Sequence, residues 1–296
     1  RSNRKGYLCR LSEFMNGFIN VNKCAGASSA REVNTIKRLT GTPCGHMGTL
    51  DPMASGVLPV AVGNACRLFD YFLDKRKTYV ARFEFGTDSD TLDTTGTLLK
   101  TGGYVPSENE IQACLPEMCG EVMQVAPKYS AKNIGGKRCY QLARAGIEFE
   151  LPSKKVNIYS VKLLDRINKN TFSFEIECGG GTYIRSIARD LGAKLNTCAV
   201  MSGLVRTKSG IFSIENSVAT EKLNGGNVKD YLIETQSVLP YESIIPSADE
   251  DRKLFNGLTV HTCLPDGIYK IFRNDRSFYG LSEVKHNILK VRTKLC

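Results

Sequence analysis

Alternating apolar and polar positions mark two stretches of the chain as β-strands. In KTYVARFEFG, residues 77–86, Arg82 and Glu84 point away from a face of apolar and aromatic residues. A period of two is typical of a strand with one buried face. TFSFEIEC, residues 171–178, repeats the pattern and predicts a second strand. The buried face of the first strand would carry Tyr79, Ala81, Phe83 and Phe85.

Shorter apolar runs predict two more strands and one helix. GFINVNK, residues 17–23, indicates a short strand, and VLPVAV, residues 57–62, indicates a buried strand. NACRLFDYFL, residues 64–73, has its apolar residues three and four apart, which is typical of a helix.

Two longer helices are predicted from the helical period. SSAREVNTIKRL, residues 28–39, begins with Ser29 and Glu32 at the spacing of a capping box. TYIRSIARDLGAKL, residues 182–195, has an apolar stripe, and Arg185 is expected in its first turn on the other side. The apolar residues are Val33, Ile36 and Leu39 in the first helix, and Ile184, Ile187, Ala188, Leu191 and Leu195 in the second.

The order of these elements determines the predicted fold class. Strands and helices mix without strict β-α-β alternation, which favours an α+β fold with a mixed or antiparallel sheet. We expect that the natural chain starts at Met15 and that residues 1–14 are an N-terminal extension. A main domain would cover 15–215, a polar linker or helical segment 216–246, and a small β module 247–296. The strands of the module would lie in LTVHTC, GIYKIFR and NILKVRT.

The charge balance bears on the kind of partner. The chain of 296 residues has 40 lysine and arginine residues against 30 aspartate and glutamate residues, so its net charge is +10. This surplus favours a polyanionic partner, although a basic surface without a function fits the composition equally well.

Cysteine and histidine usage excludes several classes of site. There are 11 cysteines and no Cys-x-x-Cys pair, which argues against a disulfide framework and favours a reducing compartment. Zinc would need clustered ligands, and His46, His261 and His286 are far apart. No apolar run approaches the roughly 18 residues of a membrane span, and the basic N-terminus is a poor signal peptide. We therefore predict a cytoplasmic monomer without a bound metal.

Common catalytic motifs are absent from the sequence. It contains no P-loop, no dinucleotide-binding glycine motif, no His-Glu-x-x-His and no nucleophile elbow. DSDTLDTTG, residues 88–96, is reminiscent of a calcium loop, but Asp93 occupies the glycine position and Leu99 that of the bidentate glutamate. We interpret this stretch as a charged turn between strands.

GHMGTLDPMASGVLPV places a carboxylate, Asp51, in a glycine-rich loop ahead of an apolar strand. An aspartate before proline is most often a turn residue. The glycines, however, let a ligand or another backbone approach closely. The apolar run would also bury the base of the loop and hold the carboxylate rigidly. On this ground alone, the turn and the catalytic interpretation both stay open.

A second candidate segment covers residues 128–155. It contains seven lysine or arginine residues against two glutamates, with Tyr129 and Tyr140 among them. Basic groups bind phosphates, and aromatic rings stack on unpaired bases. A solvated, glycine-hinged surface insertion fits the same composition.

Four stretches in this order resemble the TruB type of tRNA pseudouridine synthases: GHMGTLDPMASGVLPV, KTYVARFEFG, KYSAKNIGGKRCYQLARAG and GGGTYIRSIARDLG. The resemblance covers residues 16–212. It implies a catalytic domain over 15–215 with an RNA-binding insertion over 128–155, and a PUA-like module over 247–296. It also implies that one T-loop uridine (position 55 of the tRNA) is isomerised to pseudouridine, with the T-arm as partner and without cofactor or metal.

The resemblance further implies roles for individual residues. Asp51 would be the nucleophile or base, acting on the sugar, on the uracil or on the C2′ proton, and Arg185 would hold it ionised and oriented. Tyr79, unless it is only a core tyrosine, would stack on the flipped uracil and help to remove the C5 proton. His46 would hold the rearranged RNA. The remaining residues would be Tyr183 and Leu204 around the uracil, and Lys23, Lys132, Lys137, Arg138, Arg144 and Arg206 on the RNA.

The sequence departs from the family pattern at three positions. Cys24 stands where the family has proline, Met47 where it has threonine, and Val205 where it has arginine. These changes leave every proposed catalytic group in place, but they alter the surroundings of Lys23 and Arg206.

Two alternative functions fit part of the sequence. A guide-RNA-dependent rRNA pseudouridine synthase normally lacks the basic insertion at 128–155, which this chain has. A non-catalytic tRNA-binding folding factor would keep the insertion but could lose Asp51, Tyr79 or Arg185, and all three are present. The sequence therefore favours a stand-alone bacterial enzyme.

Overall fold

The computed structural model describes residues 15–72, 76–100, 103–130, 133–134, 136–151 and 153–295. The expected N-terminal extension, residues 1–14, lies outside this part of the chain.

The strands of the described residues form two β-sheets and two small hairpins. The strands are β1 (Gly17–Lys23), β2 (Cys44–His46), β3 (Ser55–Val62), β4 (Lys77–Phe85), β5 (Thr87–Ser89), β6 (Leu98–Lys100), β7 (Gly120–Val125), β8 (Asn133–Ile134), β9 (Lys137–Arg138), β10 (Ser153–Arg166), β11 (Thr171–Cys178), β12 (Ala199–Ser209), β13 (Phe212–Ser213), β14 (Ser243–Ile244), β15 (Val260–His261), β16 (Gly267–Phe272), β17 (Phe278–Lys285) and β18 (Ile288–Lys294).

Helices cover the sheets and fill the connections. The α-helices of the described residues are α1 (Ser29–Thr40), α2 (Glu108–Cys114), α3 (Cys139–Arg144), α4 (Ile184–Lys194) and α5 (Ala248–Phe255). The 3₁₀ helices in the same residues are Gly63–Phe72, Leu115–Met118, Thr220–Lys222, Val228–Tyr231 and Thr235–Val238. None of the described helices has the length and hydrophobicity needed to cross a lipid bilayer.

The larger sheet is mixed, which confirms the predicted α+β class. Its strands follow the order β1-β3-β12-β4-β11-β10-β7, with β2 paired to β3 and β13 to β12. The β3–β12 pair is parallel, and the other neighbouring pairs are antiparallel. The second sheet follows the order β14-β16-β17-β18-β15.

The alternating pattern of β4 and β11 builds the centre of the core. Phe83 packs on Phe174 with ring centroids 4.9 Å apart, and Phe85 packs edge-on against Phe172 at 5.7 Å. Each fully buried side chain of this size contributes about 1.5–3 kcal/mol. Helix α4 packs against β12 and β4, and residues of its first turn line the same cavity as the first residues of β4.

The predicted capping box of the first helix is wrong, and the reason bears on the site. The N-cap is Ser28, whose hydroxyl accepts a hydrogen bond from the Arg31 amide. The Ser29 hydroxyl is buried and binds the backbone of Leu50 instead. Glu32 is also buried and accepts a hydrogen bond of 2.6 Å from the Thr220 hydroxyl.

The 216–246 segment is packed against the body of the protein, so it is not a detached linker. Val218 and Val228 belong to the main core. Val238 belongs to a second core that also contains Phe18 and Leu281, and this core joins the two sheets.

Candidate active site

Asp51 lies in the loop between β2 and β3, and the backbone of that loop is fixed. The amide and the carbonyl of Leu50 both bind the buried Ser29 hydroxyl at 2.9 Å. In the following turn the Ala54 amide donates to the Asp51 carbonyl at 3.0 Å. The Asp51 side chain remains 35% exposed. A rigid loop therefore presents a carboxylate to solvent.

Lys23 supports this loop from below and does not reach the surface, so the predicted RNA contact is wrong. Its side chain is fully buried. The ammonium donates to the carbonyls of Cys24 (3.0 Å), Ala27 (2.6 Å), Pro52 (3.2 Å) and Ala54 (2.5 Å). Burial lowers the pKa of this ammonium. Lys23 thus joins the end of β1 to both sides of the turn that follows Asp51.

Arg185 connects Asp51 to a second carboxylate, Asp93. Its Nε lies 3.0 Å from Oδ2 of Asp51, and its Nη1 lies 3.4 Å from Oδ2 of Asp93. Nη1 and Nη2 also donate to the carbonyls of Thr91 (3.1 Å) and Tyr129 (3.2 Å). The pairing with Asp51 is the expected one. The expected position on the open side of the helix is wrong, because the Arg185 side chain is only 6% exposed.

Asp93 is more than part of a charged turn. Residues 90–96 of the segment do lie between two strands, β5 and β6, and residues 88–89 are the end of β5. The Asp93 side chain is buried, however, and its Oδ1 accepts hydrogen bonds from the Thr91 hydroxyl (2.8 Å) and from the amide and hydroxyl of Thr95 (3.0 and 2.5 Å). Asp93 thereby fixes the far side of Arg185. Among the described residues, no group of acidic, histidine or cysteine side chains is arranged to hold a metal ion.

A cavity of about 280 Å³ opens beside the Asp51 carboxylate. Its volume is close to the lower end of the usual range for ligand sites, roughly 300–1,000 Å³, which suits a single small group such as one base. The predicted residues that line it are Asp51, Tyr79, Tyr183, Arg185 and Leu204.

Arg206 of β12 is paired with Tyr79 of β4 and is not available to RNA, so its predicted contact is also wrong. The side chain is fully buried. Nε donates to the Val57 carbonyl (2.7 Å), Nη2 to that of Gly48 (3.0 Å) and Nη1 to that of Thr49 (3.5 Å). Burial raises the pKa of the Tyr79 phenol, and the nearby Arg206 guanidinium opposes the rise. Tyr79 therefore presents a protonated hydroxyl.

A buried glutamine that sequence patterns did not indicate positions Tyr183. The Tyr183 amide donates to Oε1 of Gln124 at 2.8 Å, and Nε2 of Gln124 donates to the Tyr183 carbonyl at 3.1 Å. These bonds fix the backbone of the residue that precedes α4. The available signal was a polar residue in the otherwise apolar end of the strand GEVMQV. On the facing wall, Leu204 of β12 is paired with Ala81 of β4.

His46 lies outside the lining of the cavity, on β2. Burial lowers its pKa, and the Arg206 guanidinium lowers it further. Its Nδ1 is buried and has no hydrogen-bond partner within the described part of the chain. The imidazole is therefore neutral near pH 7 and can take part in hydrogen bonds, but it cannot supply a positive charge.

The basic segment forms a structure of its own between β7 and β10. Strands β8 and β9 pair as a short hairpin, and α3 follows directly. Lys132 lies outside the described residues. For Lys137, Arg138 and Arg144 the structure describes only the backbone, so the positions of these cations on the RNA stay predictions.

The comparisons with known proteins agree on one family. Residues 37–184 match the family described as "TruB family pseudouridylate synthase (N terminal domain)". A "tRNA pseudouridine synthase B" of Clostridium acetobutylicum is 36% identical over 285 residues, which cover 94% of this chain and 98% of the relative. A protein of the same name from Borreliella afzelii is 37% identical over 261 residues, covering 88% and 91%.

A solved structure shows the same fold at lower identity. The structure described as "a Cbf5-Nop10-Gar1 Complex" matches with a TM-score of 0.70 at 23% sequence identity, and the match covers 96% of this chain and 86% of the other. The family match and the sequence relatives show that the chain belongs to the TruB family and is a pseudouridine synthase.

Proposed function

We propose that the protein isomerises a T-loop uridine of tRNA to pseudouridine and that the Asp51 carboxylate starts the reaction. One observation carries the proposal: a fixed, partly exposed carboxylate shares a small cavity with two tyrosines and a leucine. The relatives from Clostridium acetobutylicum and Borreliella afzelii are named tRNA pseudouridine synthase B, which supports tRNA as the substrate.

The chemistry that the site has to perform is an isomerisation. The N1–C1′ bond breaks, the uracil turns, and a C5–C1′ bond forms, while C5 loses a proton and N1 gains one. Asp51 can serve by adding to C1′, by adding to the uracil, or by removing the C2′ proton. In each case the position of the carboxylate matters, and the bond from Nε of Arg185 fixes it.

The uracil reaches the carboxylate only after leaving its stack in the RNA. Tyr79, Tyr183 and Leu204 offer it aromatic and aliphatic surfaces in the cavity. Stacking on an aromatic ring returns about 1–3 kcal/mol per base, comparable to the few kcal/mol that unstacking costs. Because the Tyr79 phenol is protonated in the free protein, its hydroxyl can donate a hydrogen bond to a bound base.

Recognition of the tRNA combines local shape with charge. His46 is neutral and ends β2, where the Asp51 loop begins, so we assign it hydrogen bonds to the folded T-loop. The cations of the 128–155 segment would bind backbone phosphates, which adds affinity without base specificity. We assign β15 to β18 of the second sheet to the PUA-like module expected for residues 247–296, with β14 just before this range.

The test uses the purified protein, a uridine-containing tRNA transcript and no guide RNA, with pseudouridine mapped by chemical modification. We expect one pseudouridine per tRNA, in the T-loop, and turnover of an isolated T-arm stem-loop with weaker binding. A T-arm whose loop cannot fold should be inert. A requirement for guide RNA would favour the guide-dependent alternative, and tight binding without product would favour a folding factor.

A further inference from the structure

One corner of the cavity is positively charged and has no part in the chemistry proposed above. Lys77, the first residue of β4, lines the cavity and lies on the same face of the strand as Tyr79. Three groups from other strands of the sheet act electrostatically on its ammonium: the Arg206 guanidinium of β12, the Cys178 thiol of β11 and the Lys154 ammonium of β10. Among the described residues, none of these neighbours is a carboxylate.

Two glycines keep this corner open. A β-carbon on Gly48 would lie 3.4 Å from Nζ of Lys77 and 3.7 Å from Nη1 of Arg206. A β-carbon on Gly181 would lie 3.0 Å from Nζ of Lys154. The φ angles of 135° at Gly48 and 80° at Gly181 also disfavour a side chain. Both glycines line the cavity, so the backbone leaves space beside the lysines.

The free protein keeps these cations together at an electrostatic cost. Burial, with the nearby Arg206 and Lys154, lowers the pKa of Lys77 to about 8. Arg206 already donates to three backbone carbonyls. Lys77 finds no hydrogen-bond acceptor in the described part of the chain. A bound anion would relieve the repulsion and accept the protons that Lys77 offers.

We propose that Lys77 and Lys154 form a phosphate subsite for the backbone phosphate next to the flipped uridine. The inference rests on the proposed function, because the RNA is the source of the phosphate. The uracil is neutral and cannot balance two ammonium groups, whereas a phosphate beside the ribose can. An anchored phosphate would hold the sugar in place above the Asp51 carboxylate, so both lysines act as positioning residues.

The test removes the charge from each side of the contact. The RNA is a T-arm stem-loop that carries one neutral methylphosphonate, placed on either side of the target uridine. The protein variants are Lys77→Gln and Lys154→Gln. The control is Lys162→Gln, which removes an exposed lysine of the same strand, β10, that pairs with Glu175 at 3.1 Å.

We expect Lys77→Gln to weaken binding of the unmodified RNA by about tenfold, as for one lost hydrogen bond to a charged group. The methylphosphonate at one of the two positions should weaken binding to the wild type similarly. The two changes together should cost no more than either change alone, because they remove the same contact. Lys162→Gln should combine additively with both modified RNAs.

A second measurement follows the proton. Because Lys77 titrates near pH 8 in the free protein, a bound phosphate should raise its pKa and draw a fraction of a proton from solution at that pH. Calorimetry in two buffers with different ionisation enthalpies measures this uptake. It should disappear in Lys77→Gln and persist in Lys162→Gln.

The subsite is overturned if the losses of affinity from Lys77→Gln and from the methylphosphonate add at both phosphate positions. It is also overturned if Lys77→Gln takes up as much of a proton on binding as the wild type. Lys154 is exposed, so Lys154→Gln should fold and can carry the same cycle if Lys77→Gln does not. The proposed function fails separately, when the wild type forms no pseudouridine on the unmodified stem-loop. If the wild type forms pseudouridine but the losses of affinity are additive, the proposed function stands and only the phosphate subsite is contradicted.

Discussion

Nε of Arg185 lies 3.0 Å from Oδ2 of Asp51, while Nη1 of the same side chain lies 3.4 Å from Oδ2 of Asp93. One guanidinium therefore joins a carboxylate at the cavity to a carboxylate in the interior. The interior carboxylate is held by Thr91 and Thr95, so the position of Asp51 is tied to a rigid part of the fold.

Arg185→Lys should lower the rate of isomerisation by about 100-fold, the scale of a small misplacement of a catalytic group. Lysine keeps the charge, but its single nitrogen cannot serve Asp51, Asp93 and two carbonyls at once. Affinity for tRNA should stay within a few-fold. Single-turnover rates measure the effect, with Arg189→Lys on the same helix as control. A wild-type rate in Arg185→Lys would separate the network from catalysis.

Lys23→Met should destabilise the fold without changing how binding depends on salt. The substitution removes the ammonium that donates to four carbonyl oxygens. Only that of Pro52 keeps another donor among the described residues, the Gly26 amide, and each buried unsatisfied group costs about 1–3 kcal/mol. Denaturant unfolding measures the loss, and Lys37→Met, at an exposed position of α1, is the control. If the variant is as stable as the wild type but its tRNA affinity depends less on salt, Lys23 contacts the RNA after all.

The hydrophobic pattern of the sequence predicted two central strands, but it did not predict the burial of Lys23 and Arg185. The period of two in β4 and β11 indicated both strands and their buried face, because alternation reports directly on burial. The same kind of pattern could not assign Lys23 of β1 or Arg185 of α4 to the interior. Their burial depends on carbonyls and carboxylates from distant segments, and a local period does not contain that information.

The same limit applies to Asp93 and Gln124. The predicted turn between strands is confirmed for residues 90–96, yet the role of Asp93 depends on a guanidinium that is distant in sequence. Gln124 clamps the Tyr183 backbone across a similar separation. The family resemblance predicted the Asp51–Arg185 pair because both residues lie in motifs that carry it. Asp93 and Gln124 lie outside those motifs, so the resemblance did not indicate them.

Neutralising the basic segment should flatten the salt dependence of tRNA binding. If Lys132, Lys137, Arg138 and Arg144 each meet a phosphate, their replacement by glutamine should reduce the slope of log K against log salt by about 3–4. The matched control exchanges lysine for arginine and arginine for lysine at the same positions, which keeps the charge. An unchanged slope in the glutamine variant would make the segment a solvated surface insertion.

Tyr79→Phe should separate binding from chemistry. The ring is kept, so stacking and tRNA affinity should stay within a few-fold, while the isomerisation should be lost if the hydroxyl handles a proton. Tyr79→Leu should lose both, because it removes a stacking surface worth about 1–3 kcal/mol. Affinity and single-turnover rate are measured in parallel, with Tyr231→Phe at an exposed position as control. Full activity of Tyr79→Phe would restrict the residue to stacking.

The role of the Asp51 carboxylate is tested most directly by the yield of T-loop pseudouridine with Asp51→Asn. The amide keeps the size of the side chain and some of its hydrogen bonding, but it is neither a nucleophile nor a base. Asp165→Asn, at an exposed position of β10, is the matched control. We predict no pseudouridine with Asp51→Asn, tRNA affinity within a few-fold of the wild type, and full conversion by the control. Substantial turnover by the purified Asp51→Asn variant would remove Asp51 from the mechanism.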